Sequence, residues 1–534
     1  MASVPANQKA ASPAAGGPAS PEAGDVAALP VANPGLVVFG IMTASLLQIL
    51  DTTIANVAIP DMRAALGATP DQISWVLTSY IVASAVAMPA TGWLADRVGS
   101  RRLFIISTAG FVIASMLCGM AQSITQMVLF RTLQGVSGAF ISPLSQSAML
   151  DTNPPSRQPQ MMAIWGMGLM AGPILGPILG GYLTENWNWR WVFYVNVPLG
   201  VVALAILIAQ LPSRPVTIKR FDFFGYGMIT LAIASLQLML DRGNHVDWFE
   251  SYEVWAYAIV MACALWMGGV HFVTRRGNTL FSPVLFANRS FVVAFFFMFV
   301  MGIVMFASMA LLPTMLQQLM GYSVVDTGWA LMPRGVGTLV SMWISGQLVR
   351  RGFDSRIVVI AGFLLTDLSF YEMSGWSLAV DQWPIYVCGV IQGLGIGLLF
   401  IPLNNSAFAT LPPHLRTEGS SLLNLSRSLG ASVGIAVTTA LVARNLQTSH
   451  SDLASHVTAS MTALIDFSTV DRYQSLGTAA LSMVDAEINR QAAMIAYIDN
   501  YYLLMWMSLV AIPLAFLLRR PPPQAAPVKA DIPH

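Results

Sequence analysis

Fourteen predominantly apolar runs, each close to the length a helix needs to cross the hydrocarbon core, leave this chain few folds to choose from. They cover residues 36–57, 74–95, 103–122, 126–149, 161–184, 192–212, 223–240, 254–273, 291–312, 325–346, 357–378, 384–410, 419–442 and 500–519. Lipid offers no water to backbone N–H and C=O groups, so each run must satisfy its own as a helix. Composition agrees. Only 10% of the 534 residues are charged and 55% are hydrophobic, whereas a soluble chain carries about 25% charged residues. The expected fold class is an all-α membrane protein. Residues 1–35, rich in Ala, Pro, Gly and Ser, read as a disordered tail without the apolar stretch of a signal peptide.

Positive charge sorts the connections, because cytoplasmic loops retain Lys and Arg. Every second connection is basic: Arg97/Arg101/Arg102, Arg157, Arg214/Lys219/Arg220, Arg275/Arg276/Arg289, Arg350/Arg351/Arg356 and Arg416, followed by Arg519, Arg520 and Lys529. The alternate connections carry isolated charges such as Arg63, Arg190 and Arg242. Both termini are therefore expected in the cytoplasm, with a short tail at 520–534. One outer connection, 443–499, is long and polar with amphipathic pieces at 461–467 and 479–495. It reads either as a flexible loop or as a small docking element.

An internal repeat organises the runs. Leu133-Gln134-Gly135 and Pro143-Leu144-Ser145-Gln146-Ser147-Ala148 return as Ile391-Gln392-Gly393 and Pro402-Leu403-Asn404-Asn405-Ser406-Ala407, and Pro154-Pro155 as Pro412-Pro413. Pro60, Met62, Gly67 and Trp75 match Pro313, Met315, Gly321 and Trp329, and Gly92, Leu94 and Arg97 match Gly346, Leu348 and Arg351, at an offset of 253 to 259. The first copy spans 36–212 and the second 291–519, leaving two extra helices at 213–290. Six plus two plus six helices are expected, as parallel repeats, with a solute path between the copies near the bilayer midplane.

Chemistry should sit where the copies differ. Asp51 falls near Val304, Arg131 falls on Gly389, and Gly172-Pro173-Ile174-Leu175-Gly176-Pro177 falls on Gly430-Ala431-Ser432-Val433-Gly434-Ile435. An intramembrane carboxylate is expensive and marks function. Asp51 is thus the candidate for binding and releasing a proton, with Arg131, which stays charged, as counter-charge. The alternative is a static Asp51–Arg131 pair holding two helices, or Asp51 capping a helix end. The fifth run keeps its glycines in both copies but its prolines in one, which suits a hinge or a tight seal.

Other candidates rank lower. The turn holding Gly92, Asp96, Arg97, Gly99, Arg101 and Arg102 could latch one copy to the other. Asp367 and Glu372 lie in an apolar run and are weaker coupling candidates. Arg334 and Arg427 are expected near helix ends, where long side chains snorkel. A cavity lined by Gln134, Gln146, Asn404, Asn405 and Asn424 would suit amphipathic organic solutes, and thirty methionines supply adaptable apolar surface.

Several function classes drop out. The three lysines, Lys9, Lys219 and Lys529, do not follow a glycine, so no phosphate-binding Walker loop is present. The six histidines are scattered without ligand spacing, and the three cysteines lie in apolar runs as small core residues. A net charge of +1 implies no nucleic-acid partner. No enzyme and no bound cofactor are expected. An uptake facilitator or symporter of the same fold is the serious rival to export, and a single-metabolite exporter the other alternative.

The same stretches resemble the major facilitator superfamily, specifically its fourteen-helix drug:proton antiporters of the EmrB/QacA type. Leu50-Asp51-Thr52-Thr53-Ile54-Ala55-Asn56-Val57-Ala58-Ile59-Pro60 is similar to the first-helix signature of that group. Residues 92–102 are similar to the superfamily's loop motif, and Leu129-Phe130-Arg131-Thr132-Leu133-Gln134-Gly135 to its helix-4 motif. Gly172, Pro173, Gly176, Pro177, Gly180 and Gly181 resemble the antiporter motif of helix 5, and Leu240-Asp241-Arg242-Gly243 with Asp247-Trp248 the end of the first inserted helix. The second copy of the loop motif departs, with Arg350 where Asp96 stands. The resemblance implies multidrug efflux driven by a proton gradient, with Asp51 as coupling carboxylate and Arg131 assisting. It also implies a bacterial inner membrane and, in Gram-negative members, a periplasmic membrane-fusion adaptor and an outer-membrane channel.

Overall fold

The computed structural model describes residues 27–217, 220–275, 279–456 and 478–518. Most of the tail expected at 1–35 lies outside them, as do Lys219, Arg276, the amphipathic piece 461–467, Arg519, Arg520 and Lys529. The described chain is helical: α1 (Pro34–Val57), α2 (Ile59–Leu66), α3 (Pro70–Ala87), α4 (Thr91–Val98), α5 (Ser100–Met120), α6 (Ile124–Gly138), α7 (Ile141–Asp151), α8 (Gln158–Asn186), α9 (Trp191–Tyr194) and α10 (Asn196–Gln210) come first. They are followed by α11 (Phe223–Gly243), α12 (Tyr252–Thr274), α13 (Pro283–Ala287), α14 (Arg289–Thr314), α15 (Val324–Arg350), α16 (Ser355–Ser374), α17 (Gln382–Phe408), α18 (Arg416–His456) and α19 (Thr478–Ala511).

Among the described residues, twelve helical stretches are long and apolar enough to cross a membrane. Two of the fourteen runs fall outside that set. The fourth is split into α6 and α7 at Ala139 and Phe140. The tenth, α15, is a continuous helix of 27 residues, but Asp326, Arg334, Gln347 and Arg350 dilute its apolar character.

Glycine seams set the packing. In lipid, helices gain little from hiding apolar surface from water, so close backbone approach carries more of the association. Gly172, Gly176 and Gly180 of α8 lie against α1; a Cβ on Gly176 would stand 2.1 Å from Thr53 Oγ1. Gly430 and Gly434 of α18 lie against α14, and a Cβ on Gly430 would stand 2.1 Å from the Phe299 carbonyl oxygen. The glycines that recur in both copies thus do the same job in each. α8 also runs antiparallel along α15, with Gly346 against Ala163, Gly166 against Met342 and Gly328 against Ile178.

α11 and α12 pack on each other, and α11 reaches α3 through Tyr226, whose hydroxyl donates to the Val86 carbonyl at 3.1 Å. α12 presents Tyr252, Trp255, Ile259, Trp266 and Val273 outward, a face that only lipid or a partner would accommodate. Cys118 and Cys388 are buried, whereas Cys263 on α12 is exposed.

The polar connection at 443–499 departs from a plain loop. α18 is 41 residues long and continues to His456, and α19 begins at Thr478. At 1.5 Å per residue α18 is about 60 Å long, twice the thickness of the hydrocarbon core. The two extensions are tied together, Asn445 to Asp499 at 3.2 Å and His450 to Asp485 at 2.9 Å. Polar residues on successive turns let both helices continue where hydrophobicity ends, a pattern that hydropathy alone does not register.

Candidate functional site

Asp51 and Arg131 meet as the sequence suggested, and both side chains are fully buried. Arg131 Nη1 donates to Asp51 Oδ2 at 2.7 Å, joining α6 to α1. Gln134, one turn along α6, donates from Nε2 to Asp51 Oδ1 at 2.8 Å, and Asn196 at the start of α10 donates to the same oxygen at 2.8 Å. Arg131 Nε donates to the Val76 carbonyl of α3 at 3.1 Å, and its Cζ lies 4.5 Å from the centre of the Tyr80 ring. Three helices, α1, α6 and α10, therefore converge on one carboxylate, and α3 backs the arginine. Three donors surround the carboxylate, two on Oδ1 and one on Oδ2. Removing one partner of such a buried pair costs about 3–5 kcal/mol, because the other charge is left alone.

The carboxylate is coupled to α8 by position. Thr53, two residues beyond Asp51, donates to the Gly172 carbonyl at 3.2 Å, and Gly176 packs on the same threonine. Pro173 and Pro177 line a cleft between α8, α14, α15 and α17. One helix thus carries a glycine face toward Asp51 and a proline face toward the cleft. Gly181 is half-buried one position beyond this seam.

The five amides expected to line one cavity separate. Gln134 belongs to Asp51. Gln146 Nε2 donates to Asn404 Oδ1, and Gln146 Oε1 accepts from Ser420 Oγ and, at 3.0 Å, from Asn424 Nδ2. Asn405 is half-buried and takes no part in that cluster. These bonds tie α7 to α17 and α18, and Ser147 adds one to Thr417 at 2.8 Å. The cleft is lined instead by Met170, Met305, Met309, Met332, Arg334 and Thr338 among others.

The turn at 92–102 sits at the arginine-rich end of the bundle. Gly99 adopts φ +93°, which side chains disfavour. A Cβ on Gly92 would stand 3.0 Å from Glu418 Cβ, so the turn abuts α18 directly. The Asp96 carbonyl accepts from the Thr217 amide at 2.9 Å, Arg101 donates to the Ile208 carbonyl at 2.5 Å, and Arg97 lies 5.2 Å over the Trp93 ring, while Arg102 is exposed. Among the described residues, Asp151 at the end of α7 contacts Arg214 and makes an ion pair with Arg416 Nη1 at 3.2 Å. Sequence reasoning missed Asp151, although the repeat test carried the signal: at the offset of its neighbours it falls on Ala409.

Arg334 corrects an expectation. It lies well inside α15, 7% exposed, where it cannot snorkel. Its Nη2 donates to the Met305 carbonyl at 3.2 Å and to Ser308 Oγ at 3.0 Å, while Nη1 has no hydrogen-bond partner. Arg427 is half-buried and donates to Asn424 Oδ1 at 2.9 Å. Asp367 is buried and accepts from Ser508 of α19, and Glu372 is exposed.

The chain matches the family model of the Major Facilitator Superfamily over residues 41–435. It is 35% identical over 421 residues to the Multidrug export protein EmrB of Escherichia coli (strain K12), covering 78% of this chain and 81% of that protein. It is 32% identical over 486 residues to the Fatty acid resistance protein FarB of Neisseria gonorrhoeae, covering 90% and 94%. The crystal structure of the human organic anion transporter MFSD10 (TETRAN) shares the fold, with a TM-score of 0.55 at 15% identity over 89% of this chain and 99% of that one. Repeat, helical architecture and relatives agree: the chain is a multi-pass membrane protein that belongs to the Major Facilitator Superfamily, a family of transporters rather than enzymes.

Proposed function

We propose that this chain exports small hydrophobic and amphipathic compounds across a bacterial inner membrane in exchange for protons, by alternating access. The observation that carries the reading is the Asp51 cluster: a fully buried carboxylate, countered by Arg131, one helix away from an apolar cleft. Its likeness to multidrug export proteins of known direction supports export over uptake. The proton gradient is the energy source, and no bound cofactor is needed.

The residues divide the work as follows. With Asp51 ionised, Arg131, Gln134 and Asn196 are held around it. A proton arriving on Asp51 cancels its attraction for Arg131 and frees donors, which shifts α1 against the glycine face of α8. The proline face of α8 moves with it and changes the cleft, so proton and solute compete for two states of one helix. The Gln146 cluster and the Asp151–Arg416 pair seal the arginine-rich end in the state described here. Gly92 and the turn up to Arg102 form the abutment on which that seal closes.

For the architecture we favour fourteen spans, counting α6–α7 and α15, arranged as six at 36–212, two at 213–290 and six at 291–519. The matched glycine seams of α8 and α18 support two equivalent bundles. The arginine-rich end is assigned to the cytoplasm, with both termini there, on the distribution of charge. The extensions of α18 and α19 then project outward, and we assign to them the docking of a periplasmic membrane-fusion adaptor that leads to an outer-membrane channel.

The test uses purified protein in proteoliposomes with an imposed proton gradient. Adding an amphipathic compound should collapse the gradient in the native protein, and Asp51→Asn should remove the response while the protein stays folded. Normal exchange by Asp51→Asn would make Asp51 structural and overturn the coupling assignment.

A further inference from the structure

Asp51 is fully buried, so a proton it carries needs a way out, and buried polar groups lead from it toward the arginine-rich end. The first is the hydroxyl of Tyr80 on α3. The Tyr80 ring lies 4.5 Å from Arg131 Cζ, and its hydroxyl is buried without a hydrogen-bond partner, as is Arg131 Nη2. A Cβ on Gly138 would stand 3.2 Å from that hydroxyl, which places it about two turns along α6 from Arg131. Gln48 of α1 lies beside it. Ser142 Oγ donates to Gln48 Oε1 at 2.9 Å, and Ser145 Oγ donates to the Ser142 carbonyl at 2.8 Å. Trp165 Nε1 of α8 reaches both Ser145 Oγ, at 3.1 Å, and Ser45 Oγ, at 3.3 Å. The next residue along α7 is Gln146, the centre of the bonds to α17 and α18.

The duplicated scaffold does not require these groups. At the offsets of their neighbours in the repeat, Ser45 falls on Met298, Gln48 on Met301, Ser142 on Ile401 and Trp165 on Leu423, all four buried. Tyr80, on Arg334, and Ser145, on Asn404, meet polar counterparts. Burying a hydroxyl or an amide costs free energy that an apolar residue avoids. A polar column largely confined to the copy that holds Asp51 therefore calls for a use in that copy. Resting on the export reading above, we infer that the proton leaves Asp51 through the interior of the first bundle, along Tyr80, Gln48, Ser142, Ser145 and Ser45, rather than through the cleft. A water against the Tyr80 hydroxyl takes the proton from Asp51. Each hydroxyl and bridging water then gains one O–H bond and gives up another, until the proton reaches solvent at the arginine-rich end. Gln48 and Trp165 orient the hydroxyls and carry no proton, and Arg131 stays charged throughout. The column ends beside the Gln146 cluster, so release waits until that seal opens.

The test compares two reactions of the full-length protein in proteoliposomes, with the amphipathic dye ethidium as probe. Dye-driven collapse of an imposed proton gradient needs proton release, whereas exchange of internal for external dye at equal pH does not. Tyr80→Phe and Ser142→Ala should each slow gradient collapse about ten-fold or more, the scale of one lost hydrogen-bonded position. Both should exchange dye for dye at the native rate, and Ser142→Thr, which keeps a hydroxyl, should restore the collapse. A merely structural role would slow both reactions together. Native rates of collapse in Tyr80→Phe and Ser142→Ala, or equal loss of the two reactions, overturn the inference alone. A native protein that collapses no gradient sinks the export reading instead.

Discussion

Arg131 and Arg334 are both buried guanidiniums in a duplicated scaffold, and they are answered differently. Arg131 reaches back to Asp51 on α1 and is held by a carboxylate, an amide and a carbonyl. Arg334 reaches to α14, the helix that repeats α1, and finds only the Met305 carbonyl and Ser308 there. The residue matching Asp51 in that helix is close to Val304, which has nothing to offer a cation. One arginine is answered by a carboxylate, whereas the other is held by neutral groups alone among the described residues, and each keeps one buried nitrogen unpartnered. The difference teaches that helix seams can match while the buried charges beside them do not.

The sharpest way to break this comparison is to make the same substitution in both places. Arg131→Met leaves Asp51 buried without its cation and should cost about 3–5 kcal/mol, read as a large fall in midpoint in detergent unfolding. Arg334→Met removes a charge that has no counter-ion, and should be neutral or up to about 2 kcal/mol stabilising by the same measurement. Equal losses at the two sites would erase the distinction. The seams come next. Gly176→Val and Gly434→Val each push a side chain into the backbone or Cβ of the neighbouring helix, and each should cost about 1–3 kcal/mol. Matched costs with unmatched transport, Gly176→Val losing exchange more completely, would locate the moving seam on the Asp51 side.

Smaller effects are expected at the closed end. Asp151→Asn weakens contacts to Arg214 and Arg416 and should loosen the seal by about 1–3 kcal/mol. Its measure is faster labelling of a cysteine introduced at Ser420, which is buried beside Gln146 in the closed state. Glu372→Gln should change neither exchange nor stability, because Glu372 is exposed outside every cluster described.

Much of this was legible in the sequence. Apolar runs marked the helices because lipid leaves a chain little alternative, and the asymmetry at Asp51 and Arg131 marked the pair that the fold brings to 2.7 Å. What escaped notice has physical reasons. Gln134 was placed in the solute cavity and Asn196 was passed over, because their convergence on Asp51 is a long-range fact that composition does not carry. Arg334 was expected to snorkel although the run at 325–346 already placed it mid-span, and α15 holds it there. The helices beyond 442 and before 500 were hidden because hydropathy stops reporting once a helix leaves the membrane, while hydrogen bonding continues.

The central claim, that Asp51 carries the exchanged proton, is tested most directly by proton release. Purified protein in weakly buffered detergent solution with a pH-sensitive dye is mixed with a saturating neutral transported compound. The native protein should release protons on binding, and Asp51→Asn should release none while still binding the compound. Proton release by Asp51→Asn equal to that of the native protein would contradict the account.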